Sequence, residues 1–236
     1  MRLIDINFVS KYFGSLRVLD DVSFHVDEGE SFGLVGESGS GKTTLGRIIM
    51  KLIKPTEGEI IYSKGFSRKD FQIVFQNPYT SLNPRMNVRQ ILEEPLSIHK
   101  MKKDIGKLLE SVELEPSYAG KYPHELSGGE RQRIGIARAI SIEPKFLLLD
   151  EPVSSLDMSI QADILKLIKK IRASMGLTVL LIAHDLSVIK YMCERVAVMR
   201  GGRVVEIGKI DEVYKNPENP YTKLLLESIP RLPAIT

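Results

Sequence analysis

The sequence predicts an α/β fold with a mainly parallel core sheet, an antiparallel β side sheet and an inserted helical subdomain. Three observations support this prediction. Short apolar runs alternate with longer amphipathic stretches, alternating polar and apolar residues lie near both ends, and a helical region without strands interrupts the chain. The first pattern is typical of parallel strands with helices on both faces of the sheet. We therefore expect one domain over residues 1–236.

The predicted core consists of three strand-helix units. They are Ser31–Val35 with a helix from about Thr43 to Ile53, Lys145–Leu149 with a helix from about Ser159 to Ser174, and Thr178–Ala183 with a short helix to Met192. No apolar run approaches the ~20 residues that a membrane-spanning helix needs. Any role of the chain at a membrane is therefore expected to be peripheral.

Antiparallel strands are predicted near both ends of the chain. Residues Val18–Val26 alternate between polar and apolar side chains. The pair Gly201-Gly202 forms a two-residue turn between Arg195–Met199 and Arg203–Ile207. We expect all of these strands to belong to the side sheet.

The region of about residues 87–139 predicts helices without strands, with interruptions at Pro95, Pro116 and Pro123. We interpret it as the inserted helical subdomain. A C-terminal extension of about residues 209–236 contains a predicted short amphipathic helix at Tyr221–Ser228.

Composition excludes several classes of protein. The formal charge of +3 arises from 33 basic residues spread among 30 acidic ones, which does not favour a nucleic-acid partner. Cys193 is the single cysteine, and no C-x-x-C motif offers a metal site, so a reducing, cytosolic compartment is expected. The start of the sequence shows no secretory signal.

A phosphate-binding motif follows the first predicted core strand. Gly36-Glu37-Ser38-Gly39-Ser40-Gly41-Lys42-Thr43 fits G-x-x-x-x-G-K-[ST] and opens a helix. Glycines let backbone N–H groups surround phosphate oxygens, and the helix N-terminus adds a positive dipole end. We expect Lys42 to reach the β- and γ-phosphates and Thr43 to offer its hydroxyl to Mg²⁺.

Two carboxylates, Asp150 and Glu151, end the strand predicted at Lys145–Leu149. Ligands of open α/β sheets gather at the carboxyl ends of strands. A carboxylate pair alone is a weak signal, since helix N-caps look the same. Together with the phosphate motif, the pair predicts a metal contact for Asp150 and a contact with the hydrolytic water for Glu151.

A second anion-binding helix start is predicted at Ser127-Gly128-Gly129, before a helix from about Glu130 to Ile140. With this segment, the sequence resembles the ABC transporter ATPase family over nearly its whole length. The resemblance implies a P-loop NTPase fold of the ABC type. It also implies that two such subunits pack head to tail, with each ATP between the phosphate loop of one and the signature of the other.

The resemblance assigns the family motifs in chain order. They are the Walker A loop Gly36–Thr43, the Q-loop glutamine Gln76, the signature Leu126–Glu130, the Walker B pair Asp150 and Glu151, the D-loop Ser155-Leu156-Asp157 and the switch histidine His184.

The implied roles follow from the motifs. The catalytic set is Glu151, which polarises the attacking water, His184, Lys42 and Gln76. The Mg²⁺ ligands are Thr43, Gln76 and Asp150. The ATP contacts are Phe13, which stacks on adenine and has Tyr12 as its neighbour, Gly36, Ser38, Gly39, Ser40, Gly41, Lys42, Thr43, Thr44, Ser127, Gly128, Gly129 and Asp157.

Residues 76–85 and 219–225 are similar to the oligopeptide, dipeptide and nickel importer branch of the family. Within that branch, the motif Asn83-Pro84-Arg85 resembles the second of the two ATPase subunits that such importers usually contain. This implies ATP and Mg²⁺ as cofactors and a second ATPase subunit, identical or related, as partner. Two transmembrane permease subunits and an extracytoplasmic solute-binding protein complete the implied complex. The expected location is the cytoplasmic face of the cell membrane.

Alternatives stay open. The cargo could be an oligopeptide or dipeptide, nickel or another small solute. A soluble ABC-type ATPase of DNA repair or translation is disfavoured by the single cassette and the absence of heptads. A subunit that traps ATP without turnover is opposed by the intact Glu151, His184 and Leu126–Glu130. For the C-terminal helix, the alternative is that packing on its own domain is its whole role.

Overall fold

The computed structural model describes residues 1–227, apart from the side chains of Pro78 and Thr80. The strands are β1 (Arg2–Phe13), β2 (Leu16–Asp27), β3 (Ser31–Val35), β4 (Glu57–Tyr62), β5 (Phe71–Val74), β6 (Phe146–Asp150), β7 (Thr178–Ala183), β8 (Arg195–Arg200) and β9 (Arg203–Lys209). The α-helices are α1 (Lys42–Ile49), α2 (Pro78–Ser81), α3 (Val88–Ile98), α4 (Ile105–Glu110), α5 (Gly128–Ile140), α6 (Met158–Met175), α7 (Leu186–Met192), α8 (Ile210–Lys215) and α9 (Pro220–Glu227). The last residue of the predicted helix Tyr221–Ser228 and the end of the predicted extension, residues 228–236, lie outside this description.

The chain divides into two compact units. The first comprises residues 1–65 and 180–236, and the second comprises residues 66–179. Strand β7 crosses the boundary. The predicted helical subdomain, residues 87–139, falls inside the second unit, and its bounds stay a prediction.

The first unit contains an antiparallel sheet in the order β2-β1-β4. Ile4 of β1 pairs with Val26 on one side and Tyr62 on the other, and its side chain is fully buried. Strand β1 was not predicted because its polar-apolar alternation is broken. The register shifts between Ile6 and Val9, and Phe8 in that interval has a left-handed φ of 51° and is exposed.

The rest of the first unit is built on β3, which pairs in parallel with β8, while β8 pairs antiparallel with β9. The turn at Gly201-Gly202 is confirmed, with φ values of 54° and 82°. The expectation that β8 and β9 belong to the side sheet is wrong. The physical reason is burial: residues 196–199 of β8 have no exposed surface, as in a core strand.

The second unit contains the parallel pair β5 and β6 together with helices α2 to α6. The prediction of a helix break at Pro95 is wrong, because Pro95 lies inside α3. That helix is capped by Asn87 and Gln90 and buries an apolar face, which offsets the hydrogen bond that proline cannot make. Pro116 and Pro123 each begin a short 3₁₀ helix, where the missing N–H has little cost.

Tight packing surrounds the only cysteine of the chain. Cys193 follows α7 and is buried. A side-chain carbon added at Gly33 of β3 would lie 2.4 Å from Ile189 Cγ2 and 3.4 Å from Cys193 Sγ. Glycine therefore lets α7 lie directly on β3. Among residues 1–227, no helix combines the length and the apolar character that crossing a membrane requires.

Candidate active site

The phosphate loop, residues 36–41, connects β3 to α1 in the first unit. Gly41, the residue before α1, has a left-handed φ of 101°. A side-chain carbon there would lie 2.7 Å from Leu19 Cδ2 and 2.8 Å from the Val18 carbonyl oxygen. Both conformation and space therefore require glycine at this position, directly before the first turn of α1.

The ammonium group of Lys42 lies against the carbonyls of its own loop. Lys42 Nζ donates to the Gly36 carbonyl at 2.7 Å, to the Glu37 carbonyl at 2.9 Å and to Ser40 Oγ at 3.4 Å. Lys42 is buried. These contacts hold a compact positive charge at the loop, where a phosphate oxygen can replace carbonyls as its partner.

Two neighbouring elements hold the loop from outside. A side-chain carbon at Gly36 would lie 2.2 Å from the Met199 carbonyl oxygen of β8, so this glycine is needed for packing as well. The Gly202 N–H donates to the Ser40 carbonyl at 3.2 Å. The Glu37 N–H donates to the hydroxyl of Tyr221 on α9 at 2.9 Å. The sequence identified Tyr221 only as part of a branch motif and gave no sign of this contact.

In the second unit, the parallel strands bring Gln76 and Glu151 together. Val74 pairs with Leu149, so the positions two residues beyond each strand partner also lie side by side. Gln76 Nε2 donates to Glu151 Oε2 at 3.0 Å. Glu151 has a left-handed φ of 47°, which costs a non-glycine residue about 1 kcal/mol, and such strain is common at functional sites. Asp150, the last residue of β6, is buried.

The second predicted anion site lies at the start of α5. Exposed Ser127 caps this helix: its Oγ accepts from the Glu130 N–H at 3.3 Å, and Glu130 Oε2 accepts from the Ser127 N–H at 2.7 Å. Tyr118 Oη donates to Glu130 Oε1 at 2.6 Å, which lowers the pKa of the Glu130 carboxyl and raises the pKa of the Tyr118 hydroxyl. The carboxylate therefore stays ionised and keeps the cap intact at neutral pH.

The glycines after Ser127 allow close packing against residues just before and within the first turn of α6. A side-chain carbon at Gly128 would lie 3.2 Å from Leu156 Cδ2, and one at Gly129 would lie 2.7 Å from Ile160 Cγ2. The sequence suggested only an anion-binding reason for these glycines. Their second role is to let the α5 start approach the residues that follow Glu151.

Helix α5 also holds the segment that follows Gln76, through two arginines that the sequence did not single out. The Arg131 guanidinium lies 4.0 Å from the centre of the Tyr79 ring, and its Nε donates to the Pro123 carbonyl at 2.6 Å. Arg138 NH1 donates to the Ser81 carbonyl at 2.7 Å. Both arginines lie on the same helix face, since they are separated by two turns.

The remaining predicted residues lie at the ends of elements. Phe13, the last residue of β1, is 51% exposed, and Lys11 Nζ lies 5.1 Å from the centre of its ring. Asp157 is exposed and precedes α6, and its side chain does not cap that helix. Exposed His184 follows β7. Thr43 and Thr44 are half-buried in the first turn of α1.

The predicted metal ligands are a threonine hydroxyl, a glutamine amide and a carboxylate. Within residues 1–227, no three histidine, cysteine, aspartate or glutamate side chains form a metal-binding group. The predicted Mg²⁺ ligands differ from such a group, because only one of them, Asp150 at the end of a buried strand, is a carboxylate. Hard oxygen donors with a single protein carboxylate suit Mg²⁺, which also takes ligands from phosphates and water.

A glycine loop with a buried lysine between a strand and a helix, accompanied by strand-end carboxylates, defines a P-loop nucleoside triphosphatase. Comparison with known proteins narrows this class. The family profile described as "ABC transporter" matches residues 19–154, and the profile described as "Oligopeptide/dipeptide transporter, C-terminal region" matches residues 205–235.

Curated relatives match almost the whole chain. The oligopeptide transport ATP-binding protein OppF of Bacillus subtilis (strain 168) is 46% identical over 253 residues, covering 97% of this chain and 83% of the relative. The protein of the same name from Streptococcus mutans is 48% identical over 252 residues, covering 97% and 82%.

Solved structures agree in fold. The cbiO1 protein of Clostridium perfringens, described as part of the ABC transporter complex cbiONQ, superposes with a TM-score of 0.80 at 26% identity, covering 92% of both chains. The dimeric post-hydrolysis state of the ATP-binding cassette MJ0796, bound to ADP and Pi, gives a TM-score of 0.75 at 32% identity, covering 88% of this chain and 99% of that one. The chain belongs to the ABC transporter family, as an ATP-binding ATPase. The predicted fold class and family are thereby confirmed.

Proposed function

We propose that this chain is the ATP-hydrolysing subunit of an importer of oligopeptides or dipeptides. The observation that carries the proposal is the match of 97% of the chain to relatives named oligopeptide transport ATP-binding proteins. The match of residues 205–235 to the peptide transporter C-terminal profile supports it independently of the ATPase motifs.

The phosphate loop of the first unit binds the triphosphate of ATP in this proposal. Lys42 exchanges carbonyl partners for β- and γ-phosphate oxygens. The backbone of Gly36, Ser38, Gly39, Ser40, Gly41, Thr43 and Thr44 supplies N–H donors and the close approach to phosphate. The proposal is supported by the glycine-dependent geometry of the loop and by the three oxygen contacts of the ammonium group. Phe13 stacks on adenine, and its half-exposed ring is consistent with this role.

Thr43, Gln76 and Asp150 would hold Mg²⁺, and the ion would supply positive charge to neutralise the phosphates. Glu151 acts as the general base for the water that attacks the γ-phosphorus. The bond to the β-γ bridging oxygen breaks, and ADP and phosphate form. The hydrogen bond from Gln76 at 3.0 Å orients the Glu151 carboxylate for this role. His184 contacts the γ-phosphate and orients the same water.

The second phosphate contact comes from Ser127, Gly128 and Gly129, which bind the ATP of a second ATPase subunit, either identical or related. The exposure of Ser127 at the start of a helix of 13 residues supports this role. Asp157 contributes a further contact with ATP. The dimer works on two transmembrane permease subunits at the cytoplasmic face of the cell membrane, and an extracytoplasmic solute-binding protein delivers the solute.

The replacement Glu151→Gln tests the catalytic part of the proposal. It preserves shape, so ATP binding is expected to persist, whereas ATP hydrolysis is expected to fall by about 10²- to 10⁴-fold with loss of the general base. Phosphate release and equilibrium ATP binding are measured on the chain assembled with its partner subunits. Glu110→Gln, an exposed change on α4, serves as the matched control. Undiminished hydrolysis in Glu151→Gln would refute the role of Glu151.

The cargo is tested by the same assembled complex with its solute-binding protein. Oligopeptides are expected to stimulate ATP hydrolysis by the wild-type complex. Stimulation by nickel salts and by none of a panel of di- to pentapeptides would overturn the peptide assignment and leave the ATPase assignment intact.

A further inference from the structure

Tyr221 of α9 contacts the phosphate loop directly, although 184 positions separate it from its partner, Glu37. The Tyr221 hydroxyl accepts the Glu37 N–H at 2.9 Å. The side chain is buried, with 6% exposure, and the Arg200 guanidinium lies 4.8 Å from the centre of its ring. Burial raises the pKa of the Tyr221 hydroxyl, so the group stays neutral at physiological pH.

The contact bears on the peptide group that also holds Lys42. The Gly36 carbonyl and the Glu37 N–H belong to one planar peptide unit and point in opposite directions. The carbonyl accepts from Lys42 Nζ at 2.7 Å, while the N–H donates to Tyr221. Rotation of this unit would therefore break both hydrogen bonds together. Tyr221 fixes the orientation of the peptide group on which the lysine ammonium rests.

Helix α9 is held firmly enough to act in this way. Glu206 of β9 accepts from the N–H groups of Glu218 and Asn219 at 2.9 and 3.0 Å. Asn219 Nδ2 donates to the Val205 carbonyl at 3.3 Å, and Asn219 Oδ1 accepts from the Tyr221 N–H at 2.9 Å. The start of α9 is thus tied to β9, which pairs with β8, and β8 pairs with β3, the strand that leads into the loop.

We propose that Tyr221 is a positioning residue of the nucleotide site, and that α9 sets the ATP affinity of the phosphate loop through it. The inference rests on the proposed function, in that the loop is taken to bind ATP. It gives the C-terminal region a role beyond packing on its own domain. Any partner that displaces α9 weakens ATP binding, and ATP binding stabilises α9 in return, because coupling between two sites is reciprocal.

The test compares Tyr221→Phe with the wild-type chain by equilibrium titration with ATP. Phenylalanine keeps the buried ring and removes the acceptor, which leaves the Glu37 N–H without its partner. ATP affinity is expected to fall by about 2- to 10-fold, the value of one net hydrogen bond. Tyr214→Phe serves as the control, since Tyr214 on α8 is half-buried and contacts Lys190, whose Nζ lies 3.7 Å from the centre of its ring.

Amide hydrogen exchange separates positioning from a general loss of structure. In Tyr221→Phe without ATP, exchange of the Glu37 N–H is expected to accelerate, while the N–H groups of β3 keep their protection. Asn219→Ala, which loosens the start of α9 without touching the loop, is expected to act in the same direction and carries the test if Tyr221→Phe fails to fold. If the variants keep the wild-type ATP affinity and the wild-type exchange rate of the Glu37 N–H, the inference is wrong and the proposed function is unaffected. A wild-type chain that binds no ATP would overturn the proposed function and the inference with it.

Discussion

Two glycines of α5 should respond to the same substitution with opposite signs. A side-chain carbon at Gly129 would lie 2.7 Å from Ile160 Cγ2, whereas one at Gly135 meets nothing within 4 Å beyond its own helix. Carbon atoms prefer separations of about 3.5–4.0 Å, so Gly129→Ala must displace Ile160 or the helix start by about 1 Å. Such overpacking costs about 1–3 kcal/mol, and alanine returns about 0.5–1 kcal/mol through its helix propensity.

From the middle of each range, the expected free energy of unfolding falls by about 1 kcal/mol in Gly129→Ala and rises by about 0.5–1 kcal/mol in Gly135→Ala. For a chain of this size, the melting temperatures of the two variants should differ by about 3–8 °C. Thermal and urea unfolding of the purified variants measure both values. Equal stabilisation by the two alanines would refute the close approach of α5 to α6 at Gly129.

Tyr118→Phe removes the hydrogen bond that lowers the pKa of the Glu130 carboxyl. A lowered carboxyl pKa stabilises the folded state above the unfolded-state pKa of about 4.3, and this stabilisation is lost as the pH falls below that pKa. The variant is therefore expected to lose about 1–2 kcal/mol at pH 7 and progressively less below pH 4 in urea titrations; a loss independent of pH would contradict this cause. Arg138→Met removes the donor to the Ser81 carbonyl and is expected to speed amide exchange in residues 76–82, whereas Arg89→Met, at an exposed position of α3, should not; equal exchange in both variants would argue against the arginine contact.

The sequence predicted strands wherever burial was continuous, and it was less informative about pairing. Strands β3, β6 and β7 are buried along their whole length, so uninterrupted apolar runs mark them. The hairpin of β8 and β9 was recognised from its Gly-Gly turn, but the sheet it joins depends on a parallel partner more than 160 positions away. Strand β1 was not predicted, because the irregular pairing near Phe8 disrupts the alternation of its polar and apolar residues.

The residues of the candidate site also differ in whether the sequence could identify them. Motif residues such as Lys42 and Glu151 could be identified because their chemistry requires particular side chains at fixed spacings. The contact between Gln76 and Glu151 follows once β5 and β6 are known to pair in register. The contact of Tyr221 with the phosphate loop could not be predicted, because its partner there is a backbone N–H, which every residue except proline possesses.

The buried position of Cys193 has a practical consequence for spectroscopy. Its thiol is shielded by the packing of α7 on β3, and the chain contains no second cysteine. Maleimide dyes and spin labels require access to a thiolate, so they should leave the native fold unmodified. A single engineered thiol, such as Glu110→Cys at an exposed position of α4, would then carry the only reporter, and distances between two labelled subunits could be followed during turnover without first removing a native cysteine.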